Sequence, residues 1–551
     1  MAAIKMSKIN LNDLKSFISS IKKWIAENRT EFILLLFILI VGGFLRLFRI
    51  SEYMTFLGDE GRDAIIVRRF LVDGDIMLIG PGTSIGNMYL GPLYYYLMAP
   101  FLLLFNLSPV GPAVMIALLG VATIFFIWYI AREWFYKGSS LALGALFAAF
   151  LYAISPTVII YSRSSWNPNI MPFFALLTIY AVWNFWSPYA KATEGQALSS
   201  GYKWLIVIGV SMAFVLQSHY LGLLLAPTIA VFWSLAFIRS RKSKNAKLFM
   251  RNTTYSVVVF SLLMSPLLIF DARHGWRNME AVKVFFTQRQ TTVSALPWKA
   301  LPKIQPIWEE FLERVFTGFD LTLAKVISYV VLILMIYVLV KYFIYEKGLK
   351  KVTRGQLDKK PAAFLLISVW VFTAMVGFGL YKQEIYDHYY GIIYAAPFLI
   401  FGGAVEEFKK KKYLYYLLLI VGLLLTISNL KENPMKYPPN KQLQRSRNVS
   451  QKIIEESGAQ KFNIAVIAER NYEGAYQYFL ERWNAPIVMI DPQKSDVTIT
   501  DQLFVICELE DRSECDPTHN PKTEIANFGW SAVDQEWEVS GVTLYKLVHS
   551  E

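Results

Sequence analysis

The chain has 551 residues, of which 55% are hydrophobic, 15% aromatic and only 18% charged. An ordinary soluble domain carries about 25% charged residues, so an all-soluble chain is excluded. The formal net charge of +13 would suit a nucleic-acid binder, but the basic residues sit in short loops between apolar blocks, as membrane topology requires, and no nucleic-acid partner is expected. Only two cysteines occur, Cys507 and Cys515, which excludes a cysteine-based metal cluster.

The first residues are polar and basic (Lys5, Lys8, Lys15, Lys22, Lys23). No small-residue cleavage site follows the first apolar block, so that block is expected to stay as an anchor. Residues 1–31 read as a basic cytoplasmic segment. Apolar blocks of about 18 to 25 residues, enough for a helix to cross a hydrocarbon core, then fall at 32–48, 110–130, 140–161, 169–187, 203–218, 219–238, 254–270, 322–345, 362–381, 389–405 and 413–430. This predicts eleven spans within a membrane domain over 32–430. The block 88–106 is apolar too. Counting it as a span would put nearly all the basic loops (Arg132 and Lys137; Lys191 and Lys203; 239–251; 346–360; 409–412) on the outer side, against the positive-inside tendency. It is therefore expected to lie in the outer interface, inside a long first outer loop, 49–109, with Tyr94, Tyr95 and Tyr96 at headgroup depth.

With the N-terminus cytoplasmic and eleven spans, the C-terminus lies outside. The linker 431–440, rich in Pro and Asn, marks a boundary. Beyond it, residues 441–551 read as a small extracytoplasmic α/β domain: strands at 462–469, 485–491, 503–510 and 542–548, and a helix at 472–483 between the first two. Cys507 and Cys515 flank a turn on the oxidising face and read as a disulfide, the other reading being two unpaired thiols.

This topology sorts the polar residues. All five histidines (219, 274, 388, 519 and 549) fall outside. So do Asp59, Glu60, Arg62 and Asp63 in the first loop; Arg163, Trp166 and Asn167; Gln217-Ser-His219-Tyr220; the run 271–278, with Arg273, His274 and Arg277; and the run 382–390, with Asp387 and His388. The spans themselves carry almost no charge, whereas a pump or channel places ionisable groups at mid-membrane depth. Asp59 and Glu60 open an amphipathic helix, where free N–H groups and the dipole favour carboxylates; a plain helix cap is the alternative. An ionised Asp at the lipid boundary can take a proton from an acceptor hydroxyl, and Arg can grip a phosphate with its fork of donors. Transfer of a sugar from a lipid phosphate needs one base and cationic stabilisation, whereas a hydrolytic glycosidase uses a spaced carboxyl pair.

The run 46–64 (RLFRISEYMTFLGDEGRDA), with GPLYYYL at 91–97, YSRSSWNPNIMPFF at 161–174, QSHYLGLLL at 217–225 and DHYYGIIYAAPFL at 387–399, resembles the integral-membrane GT-C glycosyltransferases. The likeness is to the family 39 type, which includes protein O-mannosyltransferases and lipid A aminoarabinose transferases. The chain departs from the family at Gly91, where a second Pro is usual, and at Asn167, in a segment where other members place an Asp or Glu. The resemblance implies a mainly α polytopic fold with outer amphipathic helices and an inverting transfer from a polyprenyl-phosphate sugar. It implies Asp59 as catalytic base, with Glu60 beside it. Arg62, Asp63, Tyr94, Arg163, Asn167, Tyr220, Arg273, His274, Arg277 and Asp387 are candidates for substrate binding. His219 and His388 are candidates for phosphate, sugar or metal, and read equally as satisfied polar residues at span ends. No cofactor is assigned; a divalent metal is left open. Expected partners are the lipid-linked donor, membrane lipids, and a lipid, protein or glycan acceptor, at the cell membrane. A transporter or flippase of lipid-linked sugars is the alternative.

Overall fold

The computed structural model describes residues 11–83, 88–138, 141–186, 201–287, 296–345, 351 and 357–550. Lys5, Lys8, Lys191 and most of the basic run 346–360 lie outside them. Eight helices among the described residues are long and apolar enough to cross a membrane: Arg29–Leu47, Val110–Phe135, Asn167–Trp186, Tyr220–Lys242, Ala246–Arg273, Leu321–Tyr342, Lys359–Leu380 and Lys412–Lys436. The remaining apolar blocks give shorter helices. The block 140–161 is interrupted at Ser155-Pro156 into Leu143–Ile154 and Pro156–Tyr161, because proline lacks the N–H that would continue the ladder. The Arg46 guanidinium donates to the Ala153 carbonyl beside this break at 3.0 Å. The block 203–218 is the helix Trp204–Ser218. The block 389–405 starts as a tight turn, Asp387–Ile392, before the helix Ala396–Phe408.

The interfacial segment 88–106 contains the helix Leu93–Leu104, with Pro100 inside it. At about 1.5 Å per residue, twelve residues reach only some 18 Å, short of a hydrocarbon core of about 30 Å. Leu103 and Leu104 face outward, while Tyr94 and Tyr95 are fully buried. Gly91 fits here because a Cβ would lie 2.1 Å from the Gln217 side-chain oxygen. That same oxygen accepts from the Leu93 N–H at 3.1 Å.

The C-terminal part forms a four-stranded sheet in the order β1-β2-β4-β3: β1 Asn463–Ile467, β2 Gln502–Cys507, β3 Ser531–Val539 and β4 Val542–His549. β1 and β2 run parallel; the other pairs are antiparallel. The pleat sends alternate residues to opposite faces. Ile464, Val466, Phe504 and Ile506 pack with Val449, Ile453, Tyr476 and Leu480 from two helices. Ala465, Ile467, Leu503 and Val505 pack with Ile525 and Phe528. Cys507 and Cys515 are bonded at the end of β2, with a Cα–Cα distance of 6.1 Å.

Two features of this sheet depart from expectation. Residues 485–491 make only a single bridge, Phe462 to Ile487. Pro486 has no N–H to offer, and the Asn463 side chain takes the Val488 carbonyl at 2.7 Å and the Thr498 carbonyl at 2.9 Å, which ends the pairing. The strand β3 was not expected, although Asp534, Glu536 and Glu538 alternate with Val533, Trp537 and Val539 in the period of a strand with one exposed face. It is an exposed edge, where acidic side chains guard against sheet-to-sheet pairing.

Candidate active site

Asp59, Glu60, Arg62 and Asp63 all stand in the first two turns of the helix Gly58–Asp73. The Glu60 Oε2 accepts from the Leu57 N–H at 3.0 Å and so closes the helix start. Its burial pushes the carboxyl up to about 7. Asp63 is completely buried. Its Oδ1 accepts from Arg62 Nη2 at 2.8 Å, Arg62 Nε at 3.0 Å and the Tyr95 hydroxyl at 2.9 Å, and its Oδ2 has no partner among the described residues. Burial raises the Asp63 carboxyl to about 6, against the pull of Arg62. For Arg62, burial opposes the charge, but Asp63, Tyr95 and Asp59 outweigh it and raise the guanidinium above its usual value.

Asp59 differs from both neighbouring acids. Its side chain is 42% exposed. Its Oδ1 accepts from Arg62 Nη1 at 2.9 Å and from the Tyr472 hydroxyl at 2.8 Å. Both bonds fall on one oxygen, and Oδ2 has no protein partner among the described residues. Asp59 borders two cavities, one of about 560 Å³ and one of about 310 Å³. A third, of about 590 Å³, adjoins them at Tyr161, Tyr386 and Arg470 and carries Lys303, Glu310, Arg314 and Asp387.

The largest cavity touching Asp59 has an aromatic wall built from three distant loops. Trp166 lies 4.5 Å from the His388 ring, and His388 4.6 Å from Tyr389. His219 stacks on Tyr220 at 4.4 Å and leans on Tyr389 at 4.6 Å. Burial lowers His219 to about 3 and His388 to about 4, so both rings are neutral near pH 7. His219 Nδ1 accepts from the Leu221 N–H at 3.2 Å, which puts the proton of the neutral ring on Nε2. Asn167, also in this wall, donates to the Ser218 carbonyl at 2.7 Å and ties two of the loops together. Neutral rings and amides suit an uncharged polyhydroxyl group better than an anion. Among the described residues, no group of three or more His, Cys, Asp or Glu could hold a metal ion.

The other sequence candidates lie elsewhere. Tyr94 is buried behind the site, with its hydroxyl 2.6 Å from Ser165 Oγ. Arg163 spends its donors on the carbonyls of Leu45 and Phe48, both at 2.6 Å, where the first membrane helix ends; those carbonyls have no helical partner. Arg273, His274 and Arg277 are exposed and line none of these three cavities. Asp387 faces the third cavity, 3.9 Å from Arg314, and burial raises its carboxyl. Trp166, Tyr386, Tyr389, Arg470 and Tyr472 line the cavities without having been singled out as site residues. The run 382–390 did carry a visible aromatic signal, but nothing local marks Arg470 or Tyr472.

Those last two residues arrive because the C-terminal helix Gly474–Arg482 packs directly on Gly58–Asp73. A Cβ on Gly61 would lie 2.2 Å from the Gly474 carbonyl carbon, and one on Gly474 would lie 2.3 Å from the Gly58 oxygen. Glycine at these positions lets the two backbones touch. Asn471 Oδ1 accepts from the Gly58 N–H at 2.8 Å. Arg69 pairs with Glu481 at 2.7 Å, and Phe56 meets the rings of Tyr478 and Phe479 edge-on at 6.0 and 5.9 Å.

Residues 90–270 match the family described as dolichyl-phosphate-mannose-protein mannosyltransferase. That segment holds Arg163, Asn167, His219 and Tyr220, but not Asp59 or His388. No curated protein sequence matches the chain. Among solved structures, ArnT from Cupriavidus metallidurans in the apo state is similar, with a TM-score of 0.54 at 12% identity over 96% of this chain and 98% of that one. The archaeal oligosaccharyltransferase AglB from Archaeoglobus fulgidus, in complex with an inhibitory peptide and a dolichol-phosphate, gives a TM-score of 0.51 at 12% identity over 88% of this chain and 70% of that one. The family match is confined to residues 90–270, and the chain as a whole shares its fold with these two solved proteins.

Proposed function

We propose that this chain moves a sugar from a polyprenyl-phosphate carrier to an acceptor hydroxyl on the extracytoplasmic face of the cell membrane, with Asp59 as the base. The single observation that carries this reading is the state of Asp59: one oxygen is anchored twice, and the other is free at the junction of two cavities. The two neighbouring acids are otherwise engaged, Glu60 at the helix start and Asp63 under Arg62. This arrangement supports Asp59 acting as a single base, the role a one-step transfer requires. The dolichol-phosphate held by the archaeal neighbour supports a lipid-phosphate donor.

In this reading Asp59 Oδ2 takes the acceptor proton. The acceptor oxygen attacks the anomeric carbon, the bond from that carbon to the phosphate oxygen breaks, and the phosphate leaves with the electron pair. A single displacement inverts the anomeric centre. The aromatic wall of Trp166, His219, His388 and Tyr389 stacks on the sugar. The acceptor is a lipid, protein or glycan. The N-terminus is cytoplasmic, and residues 441–551 form the outer domain.

Replacing Asp59 by Asn keeps the size and the hydrogen bonds at Oδ1. It should lower sugar transfer by roughly 10²- to 10⁴-fold in protein that is still folded and membrane-inserted, as measured with radiolabelled lipid-linked donor. Undiminished transfer by Asp59→Asn would sink the assignment.

A further inference from the structure

We propose that Arg470, a residue of the C-terminal domain, grips the phosphate of the lipid-linked donor in the membrane-embedded site. The inference rests on the transferase reading above.

A sugar phosphodiester that loses its sugar gains one negative charge on the departing phosphate, and that charge needs a cation with donors to spare. The cations around Asp59 are mostly committed. Arg62 is divided between Asp59 and Asp63. Arg163 caps a helix from within the protein. Lys303 donates to the Tyr381 carbonyl at 3.4 Å. Arg314 lies 3.9 Å from Asp387 and over the Phe319 ring. Arg470 is different: it is exposed, and among the described residues it has no hydrogen-bond or ion-pair partner. It lines all three cavities that meet at the site.

Its backbone is nonetheless fixed. Asn471 bonds the Gly58 N–H and, at 2.8 Å, Glu508. Tyr472 bonds Asp59, and its ring packs where a Gly58 Cβ would stand, 2.4 Å away. An unpaired guanidinium is thus held two residues from a side chain that touches the base. Its planar fork matches a phosphate with two parallel donors. As the bond from the anomeric carbon to the phosphate oxygen breaks and the electron pair goes to the phosphate, Arg470 receives the growing charge, while the acceptor proton goes to Asp59.

The test uses the purified full chain in nanodiscs, with undecaprenyl phosphate and undecaprenol as probes. Arg470→Ala should weaken undecaprenyl phosphate binding roughly ten- to a hundredfold and leave undecaprenol binding unchanged. Arg470→Lys should recover part of the loss. Equal binding of the phosphate by wild type and Arg470→Ala overturns this inference alone. So does an equal loss for undecaprenol, which would report a disturbed tail site. Failure of the wild type to bind undecaprenyl phosphate overturns both the inference and the transferase reading.

Discussion

Two loops look alike as strings of letters. Residues 271–278 (DARHGWRN) and 382–390 (KQEIYDHYY) each place an aspartate, a histidine and at least one cation beside the end of a membrane helix. In the folded chain they do opposite work. Asp271 is buried and caps the backbone N–H groups of Asn278 and Met279 at 2.7 and 3.1 Å. Asn278 Oδ1 in turn accepts from the Tyr89 N–H at 2.8 Å, so the carboxylate and amide oxygens of that loop hold the loop itself and the segment around residue 89, and its arginines are exposed. In the second loop, Tyr386, His388 and Tyr389 turn inward and meet Trp166 and His219 around a cavity. A polar residue near a membrane boundary is informative only once its existing partners are known.

Three measurements would break or sharpen this contrast. The largest effect is expected from His388→Ala, which removes the ring that joins Trp166 to Tyr389; transfer should fall by about tenfold or more, mainly through KM for the donor. Unchanged kinetics would show that the aromatic wall does not contact the sugar.

A smaller effect concerns pH. A histidine in the unfolded chain titrates near 6.5, while burial holds His219 near 3 and His388 near 4. Between pH 6.5 and 4 the two histidines bind more protons in the unfolded state and lower stability as pH falls, while Glu60 and Asp63, raised to about 7 and about 6, bind more in the folded state and oppose them. The histidine contribution is therefore read as a difference: as pH falls through that window, the thermal midpoint in detergent should shift downward less in His388→Phe than in the wild type; an identical slope would remove His388 from the account.

The smallest effect is expected from Arg273→Ala combined with Arg277→Ala. Donor affinity and turnover should stay within about twofold, since exposed side chains away from a site change little. A loss as large as that of His388→Ala would restore the loop 271–278 to the site.

The legibility of the molecule in its sequence follows the range of the interactions involved. Apolar blocks announced the membrane helices because a hydrocarbon core imposes length and composition on a single contiguous segment. Charge balance argued that 88–106 is not a span, and the helix there, Leu93–Leu104, is only twelve residues long. The strand expected at 485–491 shows the limit, since Pro486 interrupts its pairing; β3 did carry a period of two, with acids on alternate positions from 534 to 538. Asp59 stood out because an acidic pair opens an amphipathic helix, and Asn167, His219 and His388 because they are polar residues beside long apolar blocks. Arg163 stood out equally well, yet it serves as a helix cap, since no local rule shows which carbonyls lie opposite. Arg470 and Tyr472 gave no signal at all, because they reach the site only through a contact 413 residues apart in the chain.

That separation has a consequence for biogenesis. Asp59 is synthesised early, with the first helices, but the glycine seam at Gly58, Gly61 and Gly474 can close only after the last fifth of the chain has been made and folded. Until then the carboxylate lacks Tyr472, and the cavities lack Arg470. On the transferase reading proposed above, a chain cut before the seam would hold every membrane helix and still be idle, and the seam would couple completion of the C-terminal domain to the onset of chemistry.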